Sequence, residues 1–263
     1  MKKSEYQDYH NYLAKNVVAP FYERRLKKLR DLTLNEILLK RNPYLLKAKN
    51  LEVASDLVKS ILDAFLYSQE ETMFGNLLEG FAIYVSNKLH GGFKSKLKSI
   101  DLEFERDDVY YIVGIKSGTN WGNSDQQNKL RDNFKLARKT LRENGVTKEI
   151  VAINGCMYGK DNKPFKENPD ADKQFYRYAG QVFWKFLTGD DNLYREIISP
   201  IDKEARQKDE AFKKIYEEKL NEMTQDFLGN FMSDNRIDWL KLIDFVSKKD
   251  EPKSKSSKRS KGE

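Results

Sequence analysis

Residues 100–116 read Ile100-Asp101-Leu102-Glu103-Phe104-Glu105-Arg106-Asp107-Asp108-Val109-Tyr110-Tyr111-Ile112-Val113-Gly114-Ile115-Lys116. Ile100, Leu102 and Phe104 alternate with Asp101, Glu103 and Glu105, the period of two that marks a strand with one wet face. Asp107-Asp108 supplies turn chemistry, after which Val109, Tyr111, Val113 and Ile115 alternate with Tyr110, Ile112, Gly114 and Lys116. The two runs read as a β-hairpin. A hairpin turning near Asp107 sets Asp101, Glu103 and Lys116 on one strongly polar face.

Outward from this hairpin the period lengthens on both sides. Upstream, Gly91-Gly92 ends a helix opened by Thr72, with Phe74, Leu77, Leu78, Phe81, Val85 and Leu89 on one face and Glu79 at its edge. An earlier helix is predicted over residues 51–67, with Asn50 as its N-cap and Val53, Leu57, Ile61, Ala64 and Phe65 as its apolar stripe. Residues 12–40 interleave Val17, Phe21, Leu29 and Leu32 with dense Arg and Lys, a pattern for exposed helices that Asn42-Pro43 breaks.

Downstream, the polar loop 117–124 precedes Leu130, Phe134, Ala137 and Leu141 at helical spacing, up to the stop at Asn144-Gly145. Ile150 to Ile153 then reads as a strand, and its place after a crossover helix favours parallel pairing with the strand before it. Beyond Asn154 the pattern is mainly helical, with Phe175, Tyr178, Val182, Phe183 and Phe186 in one stripe and Phe212, Tyr216, Leu220 and Met223 in another. The fold class expected is α/β (α+β mixed): a central mixed β-sheet flanked by helices, with an additional mostly helical C-terminal part. Its segments are an N-terminal helical stretch, 1–50, for dimerisation or DNA contact, a core, 51–160, a mainly helical region packed on it, 161–246, and a disordered basic tail, 247–263.

Composition excludes several function classes. Hydrophobic residues make up 39% and aromatic residues 12%, too apolar for a disordered chain. Lys and Arg outnumber Asp and Glu by 48 to 41, but residues 247–263 hold seven basic and three acidic residues, so +4 of the +7 lies in the tail and +3 in the body. That body charge is ordinary for a soluble protein. Cys156 is the only cysteine, which rules out an intrachain disulfide and points to the cytoplasm. Nowhere do ~18 apolar residues run together, so neither secretion nor a membrane span is expected. His10 and His90 are too few for a zinc centre, and Gly91-Gly92 and Gly155 lack the context of a phosphate loop, so no nucleotide cofactor is expected. Cys156 reads as a small buried hydrophobe.

The chemistry resides in Asp101, Glu103 and Lys116. Carboxylates that hold a divalent cation, with an ammonium group beside them, are what phosphodiester hydrolysis requires. Alternating charge alone is ordinary on a half-exposed sheet. What sets this stretch apart is the ordered run of helix, acidic strand, Lys-ending strand, polar loop and crossover helix. At Ile100-Asp101 and Gly114-Ile115-Lys116 the chain resembles the PD-(D/E)XK nucleases. The stretch 100–108, the Gly-Ile-Lys-Ser-Gly that follows, Asn120-Trp121-Gly122-Asn123 and Thr72-Met73-Phe74-Gly75 look like one branch of the type II restriction endonucleases. The resemblance covers about residues 42–159.

That resemblance implies a restriction-endonuclease-like sheet and a Mg2+-dependent type II site-specific deoxyribonuclease. It would cut double-stranded DNA at a short, palindromic, GC-rich site and leave 5′-phosphate and 3′-hydroxyl ends. It also implies a homodimer and a cognate DNA methyltransferase acting on the same site. Two positions depart from the pattern: Ile100 replaces the usual proline, and Gly114 stands where the second acid belongs. Asp101 is the leading metal ligand, Glu103 the first substitute for the missing acid, Glu79 an auxiliary carboxylate, and Lys116 the catalytic cation. Ser117, Thr119, Asn120, Asn123, Gln126, Gln127 and Lys129 are candidates for DNA binding. Lys129, Arg131, Lys135, Arg138, Lys139 and Arg142 would give the crossover helix a basic face toward the DNA backbone. Gly114 also opens two other readings: a non-catalytic DNA-binding protein on a nuclease-like fold, or a structure-selective DNA repair nuclease.

Overall fold

The computed structural model describes residues 3–249, so the expected basic tail lies outside the described residues from position 250 onward. The chain begins with α1 (Lys3–Tyr12), a π-helical turn (Leu13–Val18), α2 (Ala19–Asp31), α3 (Leu34–Leu38), α4 (Pro43–Ala48) and the long α5 (Ala54–His90). The sheet region holds β1 (Phe93–Lys94), β2 (Leu102–Arg106), β3 (Val109–Lys116), α6 (Ser124–Glu143), β4 (Glu149–Cys156), β5 (Phe165–Lys166) and β6 (Phe175–Ala179). It is followed by α7 (Gln181–Thr188), α8 (Leu193–Glu196), α9 (Ile198–Phe231), the short pair β7 (Met232–Ser233) and β8 (Arg236–Ile237), and α10 (Trp239–Ser247).

The predicted hairpin is present. β2 and β3 pair antiparallel from Leu102↔Val113 to Arg106↔Val109, and Asp107 and Asp108 form a two-residue turn with φ of 52° and 62°. Positive φ at both turn residues gives the twist that closes a tight hairpin, and Asp tolerates it better than most side chains. β3 pairs parallel with β4 across the α6 crossover, and β4 runs to Cys156. The six strands take the order β1-β2-β3-β4-β6-β5, a mixed sheet with helices on both faces. On one face Leu102, Phe104, Val113 and Ile115 pack with Phe81, Ala82 and Val85 of α5 and with Phe183 and Trp184 of α7. On the other, Tyr110, Ile112, Ile150 and Ala152 pack with Leu130, Phe134, Ala137 and Leu141 of α6.

The structure corrects three expectations. First, α5 runs unbroken from Ala54 to His90, so Thr72-Met73-Phe74-Gly75 lies mid-helix. Residues 67–72 contain no Gly or Pro, and the Thr72 hydroxyl donates back to the Ser68 carbonyl instead of capping. Asn50, in the left-handed region at φ 56°, lies ahead of the helix and does not cap it. Second, Phe175 and Tyr178 belong to β6, which lies parallel to β4. Helix α7 starts only after Gly180 at φ 54°, where a Cβ would come within 2.7 Å of the Gly159 carbonyl oxygen.

Third, most of the basic residues of α6 are engaged with protein. Arg138, 6% exposed, donates to the carbonyls of Ile150, Asp172 and Gln174. Arg131 reaches the carbonyls of Lys166, Glu167 and Lys173, while Lys135 pairs with Asp170 and Arg142 with Asp172. Together they pin the irregular segment before β6, whose backbone carbonyls would otherwise lack donors.

Two compact units divide the chain: the described parts of Met1–Lys27 with Ser68–Lys213, and of Lys28–Tyr67 with Lys214–Glu263. The first holds the six-stranded sheet and both of its cores. The second is helical apart from the β7–β8 pair, and buries Leu29, Leu32, Ile37, Leu57, Ile61, Met223, Phe227 and Leu242.

Candidate active site

At the end of β3 the sheet opens into a cleft of about 260 Å³, lined by Thr72, Gly75, Asn76 and Glu79 of α5 and by Ile115, Lys116, Ser117 and Met157. Gly75 allows this approach, because a Cβ there would lie 2.4 Å from the Ser117 hydroxyl oxygen. Asp101 lies one residue before β2 and clips onto β3. Its N–H donates to the Val113 carbonyl at 2.8 Å, and its Oδ2 accepts from the Ile115 N–H at 2.6 Å.

Glu79, Asp101, Lys94 and Lys116 form one electrostatic group. Burial pushes the Glu79 carboxyl above the ordinary range, and the charge of Asp101 pushes it further, while Lys94 and Lys116 pull it back. Burial likewise raises Asp101, against the Ile115 N–H, Lys116 and Lys94. The Lys94 ammonium stands 3.7 Å from Glu79 Oε1. Lys116 Nζ lies 5.6 Å from the centre of the Trp121 ring, within cation–π range.

Glu103 lies elsewhere. It is 4% exposed, on the α6 side of the sheet, and its Oε2 accepts from the Tyr110 hydroxyl at 2.7 Å. Burial, then that hydrogen bond, raises Tyr110 far above an ordinary phenol and keeps the donor protonated. The Cβ direction of Gly114 points at the Ser99 carbonyl, 3.3 Å away, and at Leu130 and Phe134. The position that would carry the second acid of the motif therefore faces the apolar core of α6. Among the described residues, no group of three or more His, Cys, Asp or Glu gathers as a metal centre.

The polar loop splits by role. Ser117 lines the cleft, and Asn120 and Lys129 are exposed. Thr119 lies against Gly159, where an added Cβ would come within 2.8 Å of its hydroxyl. Asn123 and Gln126 close a capping box at the start of α6. Gln127 donates to the Trp121 carbonyl and accepts from Arg177. Asn76 lines the cleft and Trp121 lies beside Lys116, and nothing in the sequence around Asn76 marks it, whereas Trp121 falls within the Asn120–Asn123 motif. A larger hollow of about 510 Å³ includes Arg138, Arg142, Phe165 and Gln174, but its two arginines are engaged on Asp172 and its neighbours.

No helix among the described residues is long and apolar enough to cross a membrane. No curated protein matches the chain. Among protein families, type II restriction endonuclease EcoO109I matches residues 7–209, which is 203 of the 263 residues and includes the whole sheet and the cleft. The chain therefore belongs to the family of the type II restriction endonuclease EcoO109I, and it is a nuclease of a restriction system that acts on DNA.

Proposed function

We propose that this nuclease hydrolyses double-stranded DNA at the β3-end cleft, with Glu79 and Asp101 as the carboxylates that hold a Mg2+ ion and Lys116 as the cation beside the reacting phosphate. The carrying observation is that two partly buried carboxylates on different elements face Lys116, both raised by burial, with the charge of Asp101 raising Glu79 further. Such a pair suits a small divalent cation, which binds through one or two carboxylates and the substrate's own phosphate oxygens. When bound, the ion supplies charge to the phosphoryl group and acidifies water.

The chain's own groups do the rest. Lys116 offers fixed positive charge where negative charge builds on the phosphate, and Ser117 and Asn76 offer hydrogen bonds to phosphate oxygens. Asp101 is held beside β3 by its N–H on the Val113 carbonyl and its Oδ2 on the Ile115 N–H. Water adds to phosphorus, the P–O3′ bond breaks and the 3′ oxygen takes a proton, leaving 5′-phosphate and 3′-hydroxyl ends. Glu79 thus replaces Glu103 as the substitute for the acid missing at Gly114, within the PD-(D/E)XK plan. Asn120 and Lys129, both exposed, are offered as DNA contacts together with Ser117 and Thr119. A short GC-rich palindrome, a two-fold homodimer to read it, and a methyltransferase of the same specificity complete the proposal.

The test is plasmid DNA incubated with purified protein and Mg2+. Discrete fragments with a common end sequence are expected. Random nicking would favour a repair role, and binding without cleavage in several divalent metals would favour a non-catalytic DNA-binding protein.

A further inference from the structure

A single guanidinium holds both ends of the segment that carries Lys116. Arg177, on β6, donates from Nε to Asn154 Oδ1 at 3.3 Å and from an Nη to Gln127 Oε1 at 2.9 Å. Asn154, fully buried, passes the contact on by donating to the Gly114 carbonyl at 3.2 Å, two residues before Lys116. Gln127 donates to the Trp121 carbonyl at 2.9 Å, and the Trp121 ring lies under the Lys116 ammonium. Asp161, 3.8 Å from the other Nη and also paired with Lys166, fixes the guanidinium from behind. The planar guanidinium, with donors in fixed directions, hydrogen-bonds two acceptors on different elements while keeping its charge toward Asp161.

We infer that Arg177 is a positioning residue for Lys116, acting through Asn154 on the strand before it and through Gln127 on the ring beneath it. Arg177 is not among the residues that line the cleft, and its two hydrogen-bonded arms are what connect it to the segment that carries Lys116. A side chain held from both sides loses little freedom on reaching its working geometry, and displacement of a catalytic group by a fraction of an ångström is costly. The inference rests on the reading of Lys116 as the site's cation, and the experiment separates the two.

The protein is labelled with 5-fluorotryptophan, giving resonances for Trp121, Trp184 and Trp239, with Trp121→Phe assigning the first. Arg177→Lys keeps the charge facing Asp161 but loses the fork. In that variant and in Arg177→Ala the Trp121 resonance moves or broadens while those of Trp184 and Trp239 stay. Single-turnover cleavage at saturating DNA falls about ten- to a hundredfold, with KM changed less than about twofold. An unmoved Trp121 resonance in a folded Arg177→Ala protein overturns the inference, as does full cleavage. Where Arg177→Ala does not fold, Gln127→Ala severs one arm and is held to the same outcomes. If the wild type cleaves no DNA, the functional reading fails, and the Trp121 resonance still decides the positioning role.

Discussion

Asp101 lies one residue before β2, where the strand ends beside a cleft, and Glu103 lies two residues further on, under α6. Strand alternation puts both on the same side, so as letters in the sequence they look equivalent. Asp101 accepts the Ile115 N–H at one oxygen and shares its field with Glu79, Lys94 and Lys116. Glu103 is enclosed and satisfied by Tyr110. Position along the strand decides the difference: the middle of a strand is roofed by its helix, and the end is open to a ligand. Carboxylates at strand ends are thus available for chemistry, while those in the interior must find a partner within the protein.

The largest effects expected from breaking this comparison are at the open end. Asp101→Asn and Lys116→Ala should each reduce single-turnover cleavage by on the order of 10²–10³-fold while leaving DNA binding measurable by gel shift. Glu103→Ala should do the opposite. It strips the buried Tyr110 hydroxyl of its acceptor and costs about 1–3 kcal/mol of stability by denaturant titration, with cleavage by the folded protein nearly unchanged. If Glu103→Ala abolishes cleavage and leaves the denaturation midpoint in place, Glu103 is the ligand after all.

A second contrast lies on α6. Arg138 and Lys129 belong to one basic helix, yet one is buried on three carbonyls and the other is exposed. Arg138→Met should cost about 2–3 kcal/mol in thermal or chemical denaturation, because charged donors to buried carbonyls are removed. Lys129→Ala should leave stability alone and flatten the salt dependence of DNA binding by about one unit of slope. An unchanged slope would remove Lys129 from the interface.

These contrasts mark where the sequence stops being legible. The hairpin was readable because alternation, an Asp-Asp turn and a crossover helix all act within a few residues of each other. β6 was not, since Phe175 and Tyr178 fit a helical spacing as well as a strand one, and only pairing with β4 separates the two. The fate of the α6 arginines depends on a carbonyl-rich segment 34 to 42 residues downstream, and charge patterns carry no record of it. The grouping of Glu79 with Asp101 depends on how α5 docks on the sheet. An unbroken helix of 37 residues, read from sequence as two, hides that register.

The smallest effect sharpens the comparison most. Glu79 and Asp101 both have carboxyl groups raised by burial, and Glu79 is raised further by its neighbour's charge. A carboxyl raised in the folded state lends stability below its unfolded value, and that contribution is lost as pH rises through the folded value. At neutral pH, with no metal present, the ionised pair therefore works against folding. Glu79→Gln should raise the melting temperature of the metal-free protein slightly at neutral pH. The gain should shrink as pH falls through the raised value toward the ordinary 4.5 of Glu, where the wild-type side chain becomes neutral too. Added Mg2+ should reverse the ranking, because a ligand that binds only the folded state stabilises it and the variant lacks one oxygen donor. If Glu79→Gln instead lowers the melting temperature at neutral pH and Mg2+ leaves both proteins unmoved, then Glu79 serves Lys94 as an ordinary ion-pair partner. The open end of the strand would then resemble its buried middle, with each acid already satisfied by the protein.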